Sequence, residues 1–247
     1  MIRLYQFSFS HYCEKARWAL DHKGIEFETE NLLPGFHLAV TKSLASASTV
    51  PILADGETIV QGSGKILSYL DQRYPASPLT PADPDPARDA LQWETCFDEE
   101  FGVTLRSWFY FHLLPDDERA LRFLLDGAPA KHKAAFKRAF PRIRNTMLEY
   151  LDINAATARD SRERLLAAME KLEEMLQNRD YLVGGAFSRA DLTACALLER
   201  FVAPGVPEEK LSGIIPEEIA ALREEHKDRP YFKWVQKIYN RHRIQGG

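Results

Sequence analysis

Hydrophobic and polar residues alternate in four short segments near the start of the chain, which is the pattern of strands buried on one face. Two of these segments cover residues 2–7 and 25–28, and the other two cover residues 50–53 and 58–60. Residues 54–57 separate the last pair and contain an Asp-Gly step, which favours a β-hairpin turn. The pattern predicts four strands, with the last two antiparallel.

Helical spacing of apolar residues occurs twice in the same region. Residues 12–22 repeat apolar or small side chains at this spacing, and Gly24 follows as a stop signal. A second helix is predicted to run to about Arg73, with Ser63 as its N-cap. Residues 34–37 are predicted to be irregular. The element order is therefore βαβ followed by ββα, and the intervening helix indicates a right-handed crossover.

Five prolines lie between residues 75 and 86, which disfavours helix and sheet and predicts an extended linker. We therefore predict a first domain over residues 1–75, a linker over 76–87 and a second domain over 88–247. Helix-forming residues dominate the second domain, which is predicted to be all helical, with a kink or a break at Pro141. Its predicted helices cover residues 88–113, 131–150, 161–177, 188–201 and 229–243.

The amino-acid composition of the chain disfavours several classes of function. The chain has 247 residues, of which 45% are hydrophobic, enough to bury a sizeable core. Lys and Arg number 32 against 36 Asp and Glu, without a block of like charge, which disfavours nucleic acid and an anionic membrane as partners. No apolar run is long enough for a membrane span, and the first residues lead directly into a strand, so we expect a cytoplasmic protein.

The three cysteines are Cys13, Cys96 and Cys195, and they lie far apart in the sequence. An odd number at this spacing fits neither a disulfide framework nor paired zinc ligands. We therefore expect free thiols in a reducing compartment and no metal site.

The sequence Ser10-His11-Tyr12-Cys13 occupies the turn between the first strand and the first helix. With this turn, the element order and the proline linker, the chain resembles the cytosolic glutathione transferases over nearly its whole length. The resemblance implies a thioredoxin-like α/β first domain (βαβ-ββα) and an all-α second domain. Theta-type members place a serine three residues before a cysteine here, which implies that Ser10 is the catalytic hydroxyl. A plain helix cap is the alternative role for Ser10.

The resemblance also assigns residues that bind glutathione. Val50-Pro51 corresponds to a cis-proline site where the residue before the proline offers its backbone to the cysteinyl part of glutathione. Gly62 and Ser63 correspond to the pair that holds the γ-glutamyl end, although Gly62 stands where the family usually has an acidic residue or glutamine. His37 corresponds to a contact of the glycine carboxylate. The alternatives are a trans proline on an edge strand, an ordinary serine N-cap and a solvated histidine.

Residues 188–191 form a capping box at the start of a helix, in which Ser188 is the N-cap and Asp191 stands at its third helical position. Phe187 and Leu192 flank the box as a hydrophobic staple. The resemblance identifies this helix as the buried helix of the second domain. Its predicted role is in folding.

The leading functional expectation is a glutathione transferase, which conjugates the thiol of its co-substrate glutathione to a small electrophile in detoxification. The resemblance further implies a homodimer. A second expectation is glutathione-dependent thiol–disulfide exchange or reduction by Cys13. A third is a non-catalytic binding or scaffold protein, which Gly62 favours and Ser10 with His37 opposes.

Overall fold

The computed structural model describes residues 1–177, 179–211 and 213–243. Its first domain contains a four-stranded mixed sheet in the order β2-β1-β3-β4. Strand β1 pairs in parallel with β2 and antiparallel with β3, and β3 pairs antiparallel with β4. The thioredoxin-like βαβ-ββα topology is thereby confirmed. The strands are β1 (Ile2–Gln6), β2 (Phe27–Asn31), β3 (Ile52–Asp55) and β4 (Thr58–Gln61).

Three helices complete the first domain: α1 (His11–His22), α2 (His37–Leu44) and α3 (Ser63–Arg73). The predicted N-cap at Ser63 is wrong, because Gly62 occupies the cap position and Ser63 is the first helical residue. Gly62 has φ 99°, in a region that glycine adopts without the steric cost of a Cβ. Helix α2 was not predicted, because it follows a Pro-Gly pair and has no polar N-cap.

The described part of the second domain is all helical, as predicted. A π-helical turn (Asp98–Val103) joins the first two helices. The helices are α4 (Pro84–Phe97), α5 (Thr104–Leu113), α6 (Asp117–Leu124), α7 (Ala130–Tyr150), α8 (Ala155–Met175), α9 (Arg189–Val202), α10 (Glu208–Leu211), α11 (Glu217–His226) and α12 (Pro230–His242).

The structure corrects the prediction of an extended linker as far as Pro86, and it excludes the break, one of the two outcomes predicted at Pro141. Helix α4 begins at Pro84, inside the stretch predicted to be an extended linker. The first-turn N–H groups of a helix have no intrahelical partner, so prolines at Pro84 and Pro86 cost no hydrogen bond there. Helix α7 continues through Pro141 without a break.

Helix α9 is the centre of the packing between the domains. Almost every residue along it is buried, and it contacts α1 of the first domain as well as α4 and α12. The predicted capping box is confirmed: the side chain of Ser188 accepts from Ala190, and the Asp191 carboxylate accepts from the backbone N–H of Ser188. No helix in the described ranges is both long and apolar enough to cross a membrane.

Candidate active site: a cavity between the two domains

A cavity of about 640 Å³ lies between the sheet domain and the helical domain. The first domain contributes the β1–α1 turn, the start of α2 and the loop before β3, and the second contributes α5, α6, α7 and α9. Apolar and aromatic side chains form most of the wall, which suits an organic ligand. Of the residues predicted from sequence, Ser10, His37 and Val50 line the cavity. Pro51, Gly62 and Ser63 are not among its lining residues.

Ser10 is positioned by the start of α1, where it is the N-cap residue in an extended conformation. Its Oγ accepts from the backbone N–H of Cys13 at 3.4 Å, which is long for such a bond. Ser10 is partly exposed and lines the cavity, beside the positive end of the α1 dipole. A thiolate placed against it would receive a hydrogen bond and a favourable electrostatic field.

Cys13 is the third residue of α1, one turn after Ser10. It is completely buried and is not among the residues that line the cavity. Burial raises the pKa of its thiol. The nearby Arg17 charge and the hydrogen bond with Ser10 offset this rise only in part. The thiol is therefore protonated at neutral pH and shielded from a ligand in the cavity.

The Val50-Pro51 peptide bond is cis, as the resemblance implied. Val50 faces the cavity, and the buried Pro51 accepts a hydrogen bond from Gly62 N–H at 3.0 Å. This bond connects the loop before β3 to the start of α3. The bond therefore holds the loop that carries Val50 close to Gly62 and Ser63, which are also predicted to bind glutathione.

Gln61 has a role that the sequence did not indicate. Its side-chain amide donates to the carbonyl oxygens of Ala47 at 2.9 Å and Thr49 at 2.8 Å, and its Oε1 accepts from the N–H of Ala47 at 3.2 Å. The side chain therefore holds the loop that carries Val50, and both its donor and its acceptor groups already form hydrogen bonds there. Gly62 has no side chain to offer in its place, and Ser63 is buried at the first turn of α3.

His37 is the first residue of α2 and packs edge-on against Phe7. Burial lowers the pKa of its imidazole, and hydrogen bonds with the backbone of Ser48 and Leu33 oppose this shift in part. The ring is therefore uncharged at neutral pH and acts as a hydrogen-bonding group. Lys42 lies further along the same helix and supplies a positive charge on the cavity wall.

The helical domain contributes cations that sequence reasoning missed. Arg106, Arg142 and Arg200 line the cavity, and no Asp or Glu is among its lining residues. They come from three separate helices, so no short motif could have grouped them. Burial and the charges of Arg106 and Arg200 lower the pKa of His11 to about 3, which keeps its imidazole neutral.

Two hydroxyl groups near the cavity are unsuited to ionise. The Tyr12 hydroxyl donates to the backbone oxygen of Asp98 at 2.6 Å, and burial raises its pKa. Burial also raises the pKa of Tyr110 to about 12. Ser10, by contrast, lies at the N-terminus of α1 and lines the cavity. Across the residues that the structure describes, no group of three or more potential metal ligands comes together.

Comparison with known proteins agrees with this architecture. The glutathione S-transferase N-terminal domain matches residues 4–78, and the glutathione S-transferase C-terminal domain matches residues 128–241. Glutathione S-transferase Z1 of Arabidopsis thaliana is 36% identical over 85 residues, which is 33% of this chain and only 38% of that relative. A stringent starvation protein A homolog of Haemophilus ducreyi is 26% identical over 147 residues, 60% of each chain.

Among solved structures, a glutathione S-transferase of Ceriporiopsis subvermispora in complex with glutathione has the same fold, with a TM-score of 0.66 and 16% identity. The likeness covers 99% of this chain and 98% of that one. Both domains thus match in order and in fold. The chain belongs to the cytosolic glutathione transferase superfamily.

Proposed function

We propose that this protein is a glutathione transferase that joins the sulfur of reduced glutathione to a small electrophile in the cavity between its domains. The observation that carries the proposal is the position of Ser10. Ser10 lines the cavity at the N-terminus of α1, and the bond that its hydroxyl accepts from Cys13 N–H is long and weak. A hydroxyl there favours the thiolate over the thiol.

The proposal assigns one contact in the first domain to each part of glutathione. The backbone of Val50, before cis-Pro51, suits the cysteinyl part. Ser63, at the start of α3 beside Gly62, suits the γ-glutamyl carboxylate, because the first N–H groups of a helix have no intrahelical partner. His37 suits the glycine carboxylate as a neutral donor, and Lys42 on the same helix adds a charge.

The chemical step needs little from the protein besides orientation and stabilisation of the thiolate. Ser10 donates a hydrogen bond to the sulfur while the thiol proton passes to solvent. The sulfur then forms a bond to the electrophilic carbon, whose leaving group departs with its electron pair. The apolar helical wall orients that carbon towards the sulfur.

Thiol–disulfide exchange and a binding or scaffold role are the alternatives to this proposal. Thiol–disulfide exchange by Cys13 is disfavoured because the thiol is completely buried and its pKa is raised. A binding or scaffold role is favoured by Gly62, which provides no side chain for the γ-glutamyl group. Under the leading proposal we also expect a homodimer in a reducing cytoplasm.

Calorimetric titration with reduced glutathione tests the proposal first, because every form of it requires that site. Ser10→Ala should then lower turnover of an electrophile roughly tenfold to a thousandfold. It should also raise the pKa of the bound thiol, measured by the ultraviolet absorbance of the thiolate. Ser43→Ala, on the exposed side of α2, is the matched control.

Binding of glutathione without turnover of any electrophile would support the scaffold role. No binding at millimolar glutathione would refute the site altogether. Unchanged turnover in Ser10→Ala would remove that hydroxyl from the mechanism.

A further inference from the structure

The cavity has an excess of positive charge on its helical side. Arg106 on α5, Arg142 on α7 and Arg200 on α9 line it, and no acidic side chain does. Arg200 forms an ion pair with Glu199 at 3.1 Å, and Glu199 is not a lining residue. For Arg106, no carboxylate within the described ranges lies at ion-pair distance. The Arg106 guanidinium lies over the face of the Tyr12 ring, 6.0 Å from its centroid.

Arg106 and Arg200 act on the same part of the cavity. Both guanidinium groups influence the imidazole of His11 and the hydroxyl of Tyr110. Two like charges close to one low-dielectric site repel each other and gain from an anion between them. Neither neighbour supplies that anion, because His11 is neutral and the pKa of Tyr110 is raised to about 12.

Aromatic side chains lie beside these cations. The ring centroid of Phe123 is 5.2 Å from those of both Phe9 and Phe109, and Phe123 also packs against the guanidinium of Arg200 at 5.6 Å. Phe9, Phe109 and Phe123 all line the cavity. Each of these rings is 4% exposed, so together they offer an apolar contact to an aromatic ligand, with ring centroids about 4.5–7 Å apart.

Glutathione does not account for this charge under the proposed function. Its two carboxylates are assigned to the first domain, at the start of α3 and on α2 with Lys42. The arginines lie on the helical side, where the electrophile would bind. A second anion in the cavity would therefore belong to the second substrate.

We propose that the second substrate is an aromatic electrophile that carries an anionic group, such as a carboxylate or a sulfonate. Its ring packs against Phe109 and Phe123, and its anionic group binds Arg106, with the charge of Arg200 nearby. This inference rests on the proposed function and names the substrate class of the same site. Arg106 is the residue that sets the preference for an anion.

A chloronitrobenzoate is a simple member of this class. The sulfur of glutathione attacks the ring carbon that carries chlorine, an S–C bond forms and the C–Cl bond breaks. Chloride leaves with the bonding electron pair, the ring regains its aromaticity and the thiol proton goes to water. The carboxylate takes no part in the reaction, so it is available for Arg106.

Binding of two preformed conjugates tests the inference without depending on turnover. One is S-(4-carboxy-2-nitrophenyl)glutathione, and the other is its neutral carbamoyl analogue. By calorimetry, the protein should bind the carboxylate conjugate about tenfold to a hundredfold more tightly than the amide. Arg106→Gln should abolish most of that difference and leave binding of the amide and of glutathione unchanged.

Arg159→Gln removes the same charge from an exposed position on α8 that does not line the cavity, and it should preserve the preference. Equal binding of the two conjugates by the unaltered protein would overturn the inference and leave the glutathione site intact. A preference that persists in Arg106→Gln would overturn the role of Arg106. Failure to bind glutathione or either conjugate would overturn the proposed function, and the inference with it.

Discussion

Ser10 and Cys13 are three residues apart but have opposite environments. Ser10 is at the cap of α1, where its side chain meets the cavity, and Cys13 is one turn further, where its side chain meets the core. The first helical turn therefore presents a hydroxyl to a ligand and keeps a thiol away from it. This separation makes the two enzyme hypotheses distinguishable by single substitutions.

Cys13→Ala should retain glutathione conjugation, because the thiol does not reach the cavity. The substitution leaves a small cavity in the core, so we expect a loss of about 1 kcal/mol in the free energy of unfolding. Conjugation rates and reduction of a mixed disulfide with glutathione should be measured in parallel. Abolished turnover, with folding intact, would assign the chemistry to Cys13 and contradict the leading proposal.

The sequence predicted those site residues that lie close to turns. The order of strands and helices along the chain was enough to locate Ser10 and the Val50-Pro51 step, and the cis bond is confirmed. Arg106 and Arg200 could not be predicted, since tertiary packing alone brings their helices together. The role of Gln61 could not be predicted for a related reason, because its side chain bonds to a loop more than ten residues earlier in the chain.

At the scale of elements, the π-helical turn between α4 and α5 makes room for Tyr12. A Cβ added at Gly102, within that turn, would overlap the Tyr12 hydroxyl and ring. The hydroxyl is held in place by its bond to the backbone oxygen of Asp98. The turn thus packs the start of α1, which carries Ser10, against the helical domain.

Gly102→Ala should destabilise the fold by about 1–3 kcal/mol, because a well-packed site has no space for an added methyl group. Urea unfolding measures the change. Tyr12→Phe in the same chain should recover only part of the loss, since the ring still overlaps the new Cβ. Gly185→Ala is the control, because its added Cβ meets no atom within 4 Å. Equal stability of the two alanine variants would contradict the packing argument.

The capping box of α9 predicts a pH dependence. Burial raises the pKa of Asp191 to about 6, against three hydrogen bonds from Leu182 and Ser188 that lower it. An acid with a raised folded-state pKa binds its proton more tightly in the folded state. Its contribution to stability is complete below the unfolded pKa of about 3.9 and is lost as the pH rises through about 6.

Asp191→Asn removes this titration, so the stability of the unaltered protein minus that of the variant should fall between about pH 4 and pH 6. The fall should reach up to about 3 kcal/mol, and the difference should be constant above that range. Urea unfolding at several pH values measures it, and other groups cancel in the difference. A difference that grows with pH would mean that the three donors hold Asp191 in its ionised form.

Three local signals in the sequence led to correct predictions of elements. The Asp-Gly hairpin, the capping box and the strand alternation are all present in the fold. Helices α2 and α11 lack a polar N-cap, so their starts carried no signal. Pro84 was misread because a proline that ends most helices is tolerated in the first turn of one.

At the scale of the whole molecule, a buried ionic cluster joins the two domains. Lys15 on α1 pairs with Glu94 at 2.8 Å and with Asp98 at 2.9 Å, and Arg189 on α9 pairs with Glu94 at 2.5 Å. Arg189 also donates to the Gly64 carbonyl oxygen at 3.1 Å, in α3 of the first domain. The cluster ties α1 and α3 of the first domain to α4 and α9 of the second, and α1 and α9 each contribute residues to the cavity wall.

Removal of one partner from such a cluster costs more than removal of both, because the remaining charge stays buried. Arg189→Met should therefore lower the free energy of unfolding by about 3–5 kcal/mol, since Glu94 keeps only Lys15. The double substitution Arg189→Met with Glu94→Met should be less destabilised than the sum of the two single variants. Arg88→Met, at an exposed ion pair on α4, is the control and should change stability little. Strict additivity in urea unfolding would show that Glu94 and Arg189 are not coupled.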